Sequence, residues 1–499
     1  IYYVSVRATD GAENVSNVQT SDGITIDAVD PTVGDILEGS TEQDYDYQFS
    51  STSLVISWAG SDAMRSFRNG RDLSAFSVSL GTVPAATDVV DWAIVGNVNS
   101  YTFSGLDLQE AVTYYANVKA LDLAGNESEV VSGDGITIDQ SGPIPGSISD
   151  GDAADIDWVN INYLSVGNWT GFTDSLSGIG EYEYSLGLSP GQTQVVTWTS
   201  ANLDTTITVS ASLTEGPTYY ANVRAIDSVS NVGGLISSDG YGLDVSSPIT
   251  GNVYDGLGQD LTWTNIIDSI WANWDGYSDL YSGISFYETA VGTSPGGQNT
   301  VSWVSADTNT SISHTELSLE HGSTYYFSVR ATDVVDNVSS TGTSNGITID
   351  TLAPVINLMA ETSSEDPLFQ GSDSSITLLW GADDDLSGIE HYDYALGSNA
   401  GETDLLTWTS AGTDLSITIG DLVLDEGSKY YGSIRVYDQA GNMSEANGDG
   451  VTIDITAPDT GSGMDITDIN NTADQSYTSS TTTLQASWDG FADNLSGIA

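Results

Sequence analysis

The chain has 499 residues, 39% of them hydrophobic, and it carries 70 acidic residues against 9 basic ones, a formal net charge of −61. This charge excludes duplex nucleic acid as a natural partner, because neutralising phosphates requires Lys and Arg, and it disfavours anionic membranes. The lack of cysteine excludes disulfides, thiolate metal sites and a cysteine nucleophile. No apolar run is long enough to span a membrane, so we expect no membrane insertion of this segment.

A pattern of about 105 residues recurs along the chain. It starts with two tyrosines and an alternation of small apolar and polar residues, as in Tyr219–Arg224, and this period of two predicts a half-buried strand. An Asp-x-x-x-Asn sequence follows, then a short β-branched strand that ends in Asp, and a proline lies four residues after that Asp. The tyrosine pairs are Tyr2-Tyr3, Tyr114-Tyr115, Tyr219-Tyr220, Tyr325-Tyr326 and Tyr430-Tyr431.

Beyond each proline come a weak strand, an acidic turn and a strand that contains a tryptophan. In most repeats this strand leads into Asp-x-x-Ser-Gly-Ile, and a second tryptophan closes the cycle. We interpret both tryptophan positions as core packing. About seven short strands per repeat, separated by Gly, Asp, Ser and Asn turns, predict an all-β sandwich. The first position holds Trp58, Trp169, Trp274, Trp380 and Trp488, and the second holds Trp92, Trp198, Trp303 and Trp408.

The prolines predict where each repeat begins. Four complete sandwich domains are expected, with the later part of a repeat before them and the early part of another after them, so that both ends of the chain fall within a repeat. The predicted segments are 1–30, 31–142, 143–247, 248–353, 354–457 and 458–499.

The run Leu213–Tyr219 and the alternating strand after it resemble the tyrosine corner of fibronectin type III domains, and the first tryptophan position resembles the core tryptophan of that family. The whole pattern, with Asp-x-x-Ser-Gly-Ile and Asp-Gly-Ile-Thr-Ile-Asp, resembles repeats common in very large bacterial surface proteins of the adhesin type. The resemblance implies tandem seven-stranded fibronectin-III/Ig-like sandwiches arranged end to end. This fold hosts many functions and indicates none of them by itself.

Five of the nine basic residues occupy one repeat position on the strand that follows the tyrosines. We expect them to face outward and to pair across strands with Glu183, Glu288 and Asp393. They are Arg7, Lys119, Arg224, Arg330 and Arg435.

Three further basic residues, Arg65, Arg68 and Arg71, lie in an insertion after Trp58. By the geometry of the family this is the loop between strands B and C, which makes them candidates for a binding loop. The alternative is an insertion that surface loops tolerate without a function.

Acidic residues recur at the expected junctions between domains. In this sandwich the incoming linker, the B–C loop and the F–G loop should meet at one end. Clustered carboxylates with an amide carbonyl are the hard oxygen ligands that calcium prefers, so we predict calcium at the junctions. The alternative is that the same Asp and Asn residues only shape turns. The three ligand sets are Asp139, Asp174, Asp227 and Asn231; Asp244, Asp279, Asp333 and Asn337; and Asp350, Asp384, Asp438 and Asn442.

The junction before the first complete repeat is expected to be weaker, because the insertion disturbs the place where Asp62 would serve. A second acidic cluster lies between strands A and B, and we interpret it as a solvated turn. It comprises Asp150, Asp152, Asp155 and Asp157, with Asp255 and Asp260 as counterparts in the next repeat.

Catalytic machinery is not expected: three histidines are too few for a Ser-His-Asp arrangement in each domain, and nothing pairs two carboxylates across a cleft. We predict a stalk, spacer or filament segment of a giant extracellular or cell-surface protein. Its partners would be neighbouring repeats, other copies in a filament, or a glycan or protein ligand at a distal tip. The alternatives are an adhesin whose domains bind glycan or protein directly, and accessory modules of a secreted carbohydrate-active enzyme.

Overall fold

The computed structural model describes residues 1–62, 73–151, 154–161, 163–460, 467–468, 486–487 and 491–498. The chain divides into two compact units, Ile1–Val245 and Ser246–Ala499. The described residues form strands, turns and loops and contain no helix that could span a membrane.

Each complete repeat is a sandwich of two sheets. We letter its strands A, A′, B, C, C′, E, F, G and G′ in chain order. One sheet has the order A–B–E, and the other has the order A′–G′–F–C–C′ with G also paired to F. Counting A with A′ and G with G′ leaves seven strands, so the predicted all-β, fibronectin-III/Ig-like sandwich is confirmed.

The strands of each repeat follow one another along the chain in that order. The first complete repeat contains β3 (Thr32–Glu38), β4 (Tyr47–Gln48), β5 (Ser53–Ser61), β6 (Leu73–Gly81), β7 (Val90–Gly96), β8 (Ser100–Ser104), β9 (Thr113–Asp122), β10 (Val131–Ser132) and β11 (Ile136–Ile138). The second contains β12 (Ser147–Ser149), β13 (Trp158–Val159), β14 (Tyr163–Thr170), β15 (Ile179–Gly187), β16 (Val196–Asn202), β17 (Thr206–Ser210), β18 (Thr218–Asp227), β19 (Ile236–Ser237) and β20 (Tyr241–Leu243).

The second unit repeats the same order. The third repeat contains β21 (Asn252–Asp255), β22 (Trp263–Thr264), β23 (Ser269–Asp275), β24 (Ile284–Gly292), β25 (Val301–Asp307), β26 (Ser311–Thr315), β27 (Thr324–Asp333), β28 (Gly342–Thr343) and β29 (Ile347–Ile349). The fourth contains β30 (Val355–Glu361), β31 (Phe369–Gln370), β32 (Ile376–Asp383), β33 (Ile389–Gly397), β34 (Leu406–Gly412), β35 (Ser416–Ile419), β36 (Lys429–Asp438), β37 (Met443–Asn447) and β38 (Val451–Ile453). Outside the complete repeats lie β1 (Ser5–Val6), β2 (Gln19–Thr20), β39 (Thr467–Asp468) and β40 (Ala486–Ser487).

Alternation along strand F supplies much of each core. In β18 the side chains of Tyr219, Ala221, Val223 and Ala225 are at most 3% exposed, because every second residue of a strand points to the same face. The first tryptophan position faces them from strand B, as predicted. Its described members, which are between 2% and 5% exposed, are Trp58, Trp169, Trp274 and Trp380.

The interpretation of the second tryptophan position as core was wrong. Trp198 lies on the outer face of strand C′, half-buried, with the Arg224 guanidinium 4.3 Å from its ring centroid. Alternation along β16 places this ring on the face that points away from the core, where a cation can stack on it. The same cation–π contact forms between Trp92 and Lys119, between Trp303 and Arg330, and between Trp408 and Arg435.

The predicted cross-strand ion pairs form where strand C carries a glutamate. Arg224 contacts Glu183 at 2.6 Å and Arg330 contacts Glu288 at 2.7 Å. Arg435 lies opposite the shorter Asp393 in register, yet it pairs with Glu445 on strand G at 2.9 Å. The predicted pair of Arg435 with Asp393 was therefore wrong. The ion pair depends on the length of the acidic side chain as well as on the strand register.

The tyrosine corner is present in all four complete repeats. The Tyr219 hydroxyl accepts a hydrogen bond from the Thr214 N–H at 2.8 Å and donates one to the Thr214 carbonyl at 3.0 Å. The equivalent N–H donors are Gln109 to Tyr114, Glu320 to Tyr325 and Asp425 to Tyr430. This bond fixes the path of the chain as it enters strand F.

We expect Tyr219→Phe to lower the protection free energy of the β18 amides by about 1–2 kcal/mol, because the Thr214 N–H loses its partner in a part-buried position. Hydrogen exchange resolved on residues 206–227 measures the change. Tyr220→Phe is the matched control and should change protection by less than about 0.5 kcal/mol. Equal effects of the two variants would contradict a specific role for the corner hydroxyl.

Candidate functional site

The last aspartate before the proline connects two successive repeats at three junctions that lie within one unit or the other. Asp139 is fully buried. Its Oδ1 accepts a hydrogen bond from the Ser141 N–H at 3.2 Å, and its Oδ2 accepts one from the Ser177 N–H at 3.0 Å. Ser177 lies in the B–C loop of the following repeat, so one carboxylate joins the linker to the next sandwich.

The second unit contains the same connection twice. Asp350 is fully buried and its Oδ2 accepts the Ser387 N–H at 3.0 Å, and the Oδ2 of Asp454 accepts the Ser496 N–H at 3.1 Å. Both serines belong to the Asp-x-x-Ser-Gly-Ile sequence. This motif therefore presents a backbone donor to the preceding linker.

The F–G loop supplies a second connection to the linker. The Asn231 Nδ2 donates to the Asp139 carbonyl at 3.0 Å and to Asp227 Oδ2 at 2.7 Å. Asn442 makes the equivalent contacts, including one to the Asp350 carbonyl at 3.0 Å. The asparagine therefore acts as a donor that crosses the junction, and its amide nitrogen faces the aspartate.

The same aspartates also shape their own loops. Asp227 Oδ1 accepts the N–H groups of Val229 and Asn231, and Asp174 Oδ1 accepts those of Leu176 and Gly178. These are the hydrogen bonds that the turn interpretation predicts. They leave lone pairs on the carboxylate oxygens, so they do not exclude a cation.

A third connection, which the sequence patterns did not predict, comes from the turn before the tyrosine corner. Glu215 Oε1 accepts the N–H of Val245 at 2.8 Å, and Glu426 Oε2 accepts the N–H of Ile455 at 3.0 Å. His321 occupies this position in the third repeat and accepts the N–H of Thr351 at 3.1 Å through Nδ1. The sequence contained a sign of this contact, since the position four residues before the corner tyrosine is Glu in the other three complete repeats.

The structure brings three of the predicted calcium ligands together at the junction before the second repeat. One oxygen from each of Asp139, Asp174 and Asp227 lies within 4.8 Å of the others, which is about twice a calcium–oxygen distance. The Asn231 amide nitrogen is hydrogen-bonded to two of these aspartates. Two of the three carboxylates are at most 3% exposed, so their mutual repulsion is weakly screened.

The junction before the first complete repeat shows the same convergence. Asp27, Asp62 and Asp122 each place one oxygen within 4.8 Å of the others. Asp62 lies beside the insertion and still joins this group, while the expectation that this junction binds calcium more weakly stays a prediction. Arg65, Arg68 and Arg71, the candidates for a binding loop, lie outside the described residues, as does Asp152.

In the set before the fourth repeat, Asn442 is hydrogen-bonded to Asp438 and to the Asp350 carbonyl. Asp384 Oδ2 accepts the N–H groups of Leu386 and Gly388, while its Oδ1 is buried without a hydrogen-bond partner. Three residues that the sequence did not predict as a group also converge there. One ligand atom from each lies within 4.8 Å of the other two, and the residues are His321, Asp350 and Asp385.

The remaining predicted set has members in both units. Asp244 is fully buried in the first unit. In the second unit Asp279 caps its B–C loop and Asp333 caps its F–G loop by accepting backbone N–H groups. Asn337 donates to Asp333 Oδ2 at 2.8 Å.

The interpretation of the acidic cluster between strands A and B as a solvated turn was wrong for its leading residues. Asp150 and Asp255 are 0% exposed, whereas Asp155, Asp157 and Asp260 are exposed. Strand A crosses from one sheet to the other here, which carries the side chain into the space between the sheets. All four complete repeats bury a carboxylate at this place: Glu38, Asp150, Asp255 and Glu361.

Burial raises the pKa of these carboxyls above their usual range. The pKa of Asp150 and of Asp255 rises to about 6, and that of Glu38 to about 7. For Asp150, the N–H of Gly240 and the nearby Ser238 hydroxyl oppose the rise, while the charges of Asp155 and Asp239 add to it. A carboxylate placed out of water, beside other carboxylates, is costly unless a proton or a cation neutralises it.

The raised pKa predicts that the second repeat loses stability as pH rises without added metal. Protonated Asp150 holds its proton more tightly in the folded state than in the unfolded chain. The contribution of this proton to the free energy of unfolding is therefore complete below about pH 4 and is lost as pH rises through about 6. We expect a loss of up to about 3 kcal/mol in β18 protection between about pH 4 and about pH 8 in chelator. Hydrogen exchange corrected for intrinsic rates measures it.

Asp150→Asn should remove most of that dependence, because the amide keeps an acceptor for the Gly240 N–H and does not ionise. Asp204→Asn, at an exposed position, is the control and should behave as the wild type. A pH dependence that survives in Asp150→Asn would contradict the assignment to this group.

No family model matches the chain. Over 309 residues, 59% of its length, it is 26% identical to exoglucanase B of Cellulomonas fimi and covers 24% of that protein. Over 154 residues, 30% of its length, it is 31% identical to chitinase A1 of Niallia circulans and covers 20% of that protein. The chain thus spans about a quarter or less of these curated relatives.

Solved structures of tandem domains also resemble the chain. Domains FN1–FN3 of chicken CNTN1 are 16% identical and align over 62% of this chain and 99% of theirs, with a TM-score of 0.27. A tetra-tandem repeat from the extending region of a large adhesion protein is 15% identical over 86% of this chain and 100% of its own, with a TM-score of 0.28. At TM-scores this low, the likeness adds nothing to the architecture described above.

Proposed function

We propose that this chain is a spacer segment of an extracellular surface protein, in which calcium stiffens the junctions between domains. The observation that carries the proposal is the buried linker aspartate. Asp139 and Asp350 each join their linker to the B–C loop of the following repeat, and an asparagine from the F–G loop holds the backbone of the same linker. A linker bonded to both loops has little freedom to bend.

Calcium would act on contacts that already exist. The carboxylates of Asp139, Asp174 and Asp227 belong to the linker, the B–C loop and the F–G loop, and an ion bound by all three would join the three segments at one point. Such an ion would also relieve the repulsion among three carboxylates held within 4.8 Å. In the described part of the chain, the Lys and Arg ion pairs lie on the C–F–G face and involve other carboxylates.

The surface charge supports a role in which copies of the protein stay apart. A net charge of −61 keeps an extended array soluble and disfavours its collapse onto itself. In such an array the repeats project a distal tip or add length to a fibre, and the exposed faces need no ligand of their own. The adhesin alternative depends on Arg65, Arg68 and Arg71, which lie outside the described residues.

We expect millimolar calcium to raise the melting temperature of the chain by about 5–10 °C relative to chelator and to increase its largest dimension in small-angle scattering. Calorimetry and scattering on the same samples measure both effects. The double variant Asp174→Asn/Asp384→Asn should show a smaller increase in dimension, because each substitution removes a B–C loop ligand from one junction. Asp107→Asn/Asp414→Asn, at exposed positions, is matched in charge and should respond as the wild type.

An unchanged largest dimension in calcium would contradict the calcium part of the proposal. The aspartates would then act only as hydrogen-bond acceptors in turns and linkers.

A second candidate function is that of accessory modules in a secreted carbohydrate-active enzyme. The similarity to exoglucanase B and chitinase A1 favours it. In this case the chain should bind insoluble cellulose or chitin, or should separate a catalytic module from a module that binds them. Co-sedimentation of the chain with each polysaccharide, with and without calcium, tests direct binding. A chain that stays wholly in solution would restrict this candidate to a spacing role.

A further inference from the structure

A histidine lies in the core of the third repeat. His314, on strand E, is 9% exposed, whereas its neighbours Ser313 and Thr315 are exposed. This alternation directs the imidazole toward the second sheet. In the register of strands B and E, His314 lies opposite Ile270, which is 1% exposed. The imidazole is therefore enclosed between the two sheets of the sandwich.

The second sheet supplies a ring contact and a hydrogen bond to this imidazole. The ring stacks on that of Phe327 from strand F, with 5.7 Å between the centroids and 19° between the planes. Nε2 lies 3.2 Å from the hydroxyl of Thr289 on strand C, within hydrogen-bond distance. Phe327 and Thr289 are 0% exposed. The third repeat thus buries a pair of polar side chains, one of them titratable, beside a hydrophobic cluster.

Both positions of the pair differ in the other complete repeats. Strand register places Phe103, Val209 and Ile419 at the position of His314, and Val78, Tyr184 and Tyr394 at the position of Thr289. These six side chains are uncharged at neutral and at acidic pH. The fold therefore accepts side chains here that do not respond to acid, and the third repeat has the one that does.

Protonation of the enclosed imidazole is unfavourable in the folded repeat. A cation placed between the sheets loses its hydration, and the Phe327 ring face returns only part of that loss. Burial accordingly lowers the pKa of His314. A histidine in the unfolded chain titrates near about pH 6.5. The contribution to stability is therefore full above about pH 6.5 and is lost as the pH falls, because the unfolded chain takes up the proton more readily.

The elements packed against strand E carry few charges toward this ring. Asp268 and Glu316, at the ends of strands B and E, are exposed, and the buried Asp255 lies on strand A, which strand B separates from strand E. Glu288 and Arg330 pair with each other on the outer face of strands C and F, and Asp275 and Asp333 end strands B and F. The phenols packed in or against this core are those of Tyr277, Tyr287 and Tyr325.

We infer that the third repeat is an acid-sensitive link of this chain, in which acidification favours opening of the sandwich around His314. The device is independent of calcium and of the junctions, and so goes beyond the proposed function. Opening of the repeat would convert one folded domain into extended chain, so an acidic environment would increase the reach of the segment. The second repeat contains no histidine and should not share this response.

Asp255, in the same repeat, acts in the opposite direction. Burial raises its pKa to about 6, so the folded state gains stability from its proton as the pH falls. The two groups therefore offset each other in part in the wild-type repeat. Variants that keep Asp255 and change only the histidine pair isolate the contribution of His314.

Hydrogen exchange of the full chain in chelator, corrected for intrinsic rates, tests the inference. His314→Phe/Thr289→Val copies the pair of the first repeat, and His314→Gln keeps a polar side chain that does not ionise. Between about pH 7.5 and about pH 5, the protection factors of the β27 amides should fall about tenfold in the wild type relative to either variant.

His321→Glu is the matched control. It removes the other histidine of the third repeat and introduces the residue that the other three complete repeats have at that position. This variant should respond to pH as the wild type does. The inference is overturned if the wild type and the two His314 variants show the same change of protection with pH, or if His321→Glu abolishes the response.

Imidazole resonances of the wild-type chain give a measurement that needs no variant. In the folded repeat the His314 ring should titrate below the ordinary histidine midpoint of about 6.5, because its surroundings disfavour the cation. A midpoint at or above that value would overturn the inference, whatever the folding of the variants.

Discussion

The hydrogen bonds of the linker aspartate are the interaction on which the arrangement of the repeats depends. A four-residue linker without them could pivot about its backbone dihedrals. Asp139 and Asp350 remove that freedom because each carboxylate accepts an N–H from its own linker and another from the next repeat. The F–G asparagine and the residue four positions before the corner tyrosine bind the same two linkers: Asn231 and Glu110 at the first, and Asn442 and His321 at the second. Buried charged acceptors of this kind form strong hydrogen bonds.

The two kinds of acidic position have different physical roles. At the junction before the second repeat Asp139, Asp174 and Asp227 each accept N–H donors, so the loops keep their shape without an ion and calcium would add stiffness. At the crossing of strand A the Asp150 carboxyl is fully buried beside further carboxylates, and burial raises its pKa to about 6, so that a proton neutralises it at acidic pH. The acidic composition therefore combines a solvated, repulsive surface with a few buried acids that lie at fixed places in each sandwich.

The sequence predicted the fold because local patterns and long-range packing agree. The alternation in Tyr219–Arg224, the corner tyrosine and the strand B tryptophans each indicated the positions that the structure buries. It predicted Trp198 wrongly, since a tryptophan on an alternating strand fits either the core or a cation–π contact on the outer face. The burial of Asp150 was also missed, because a single aspartate before a turn gives no sign that the strand is about to cross between sheets.

Spin-label distance measurement across one junction tests the role of the linker aspartate most directly. The chain has no cysteine, so Thr308→Cys and Thr413→Cys place two labels at equivalent exposed positions of the third and fourth repeats. If Asp350 holds the linker, the distance distribution is narrow in the otherwise wild-type chain and broadens several-fold when Asp350→Ala is added. Distributions of equal width with and without Asp350 would contradict the claim that this carboxylate fixes the junction.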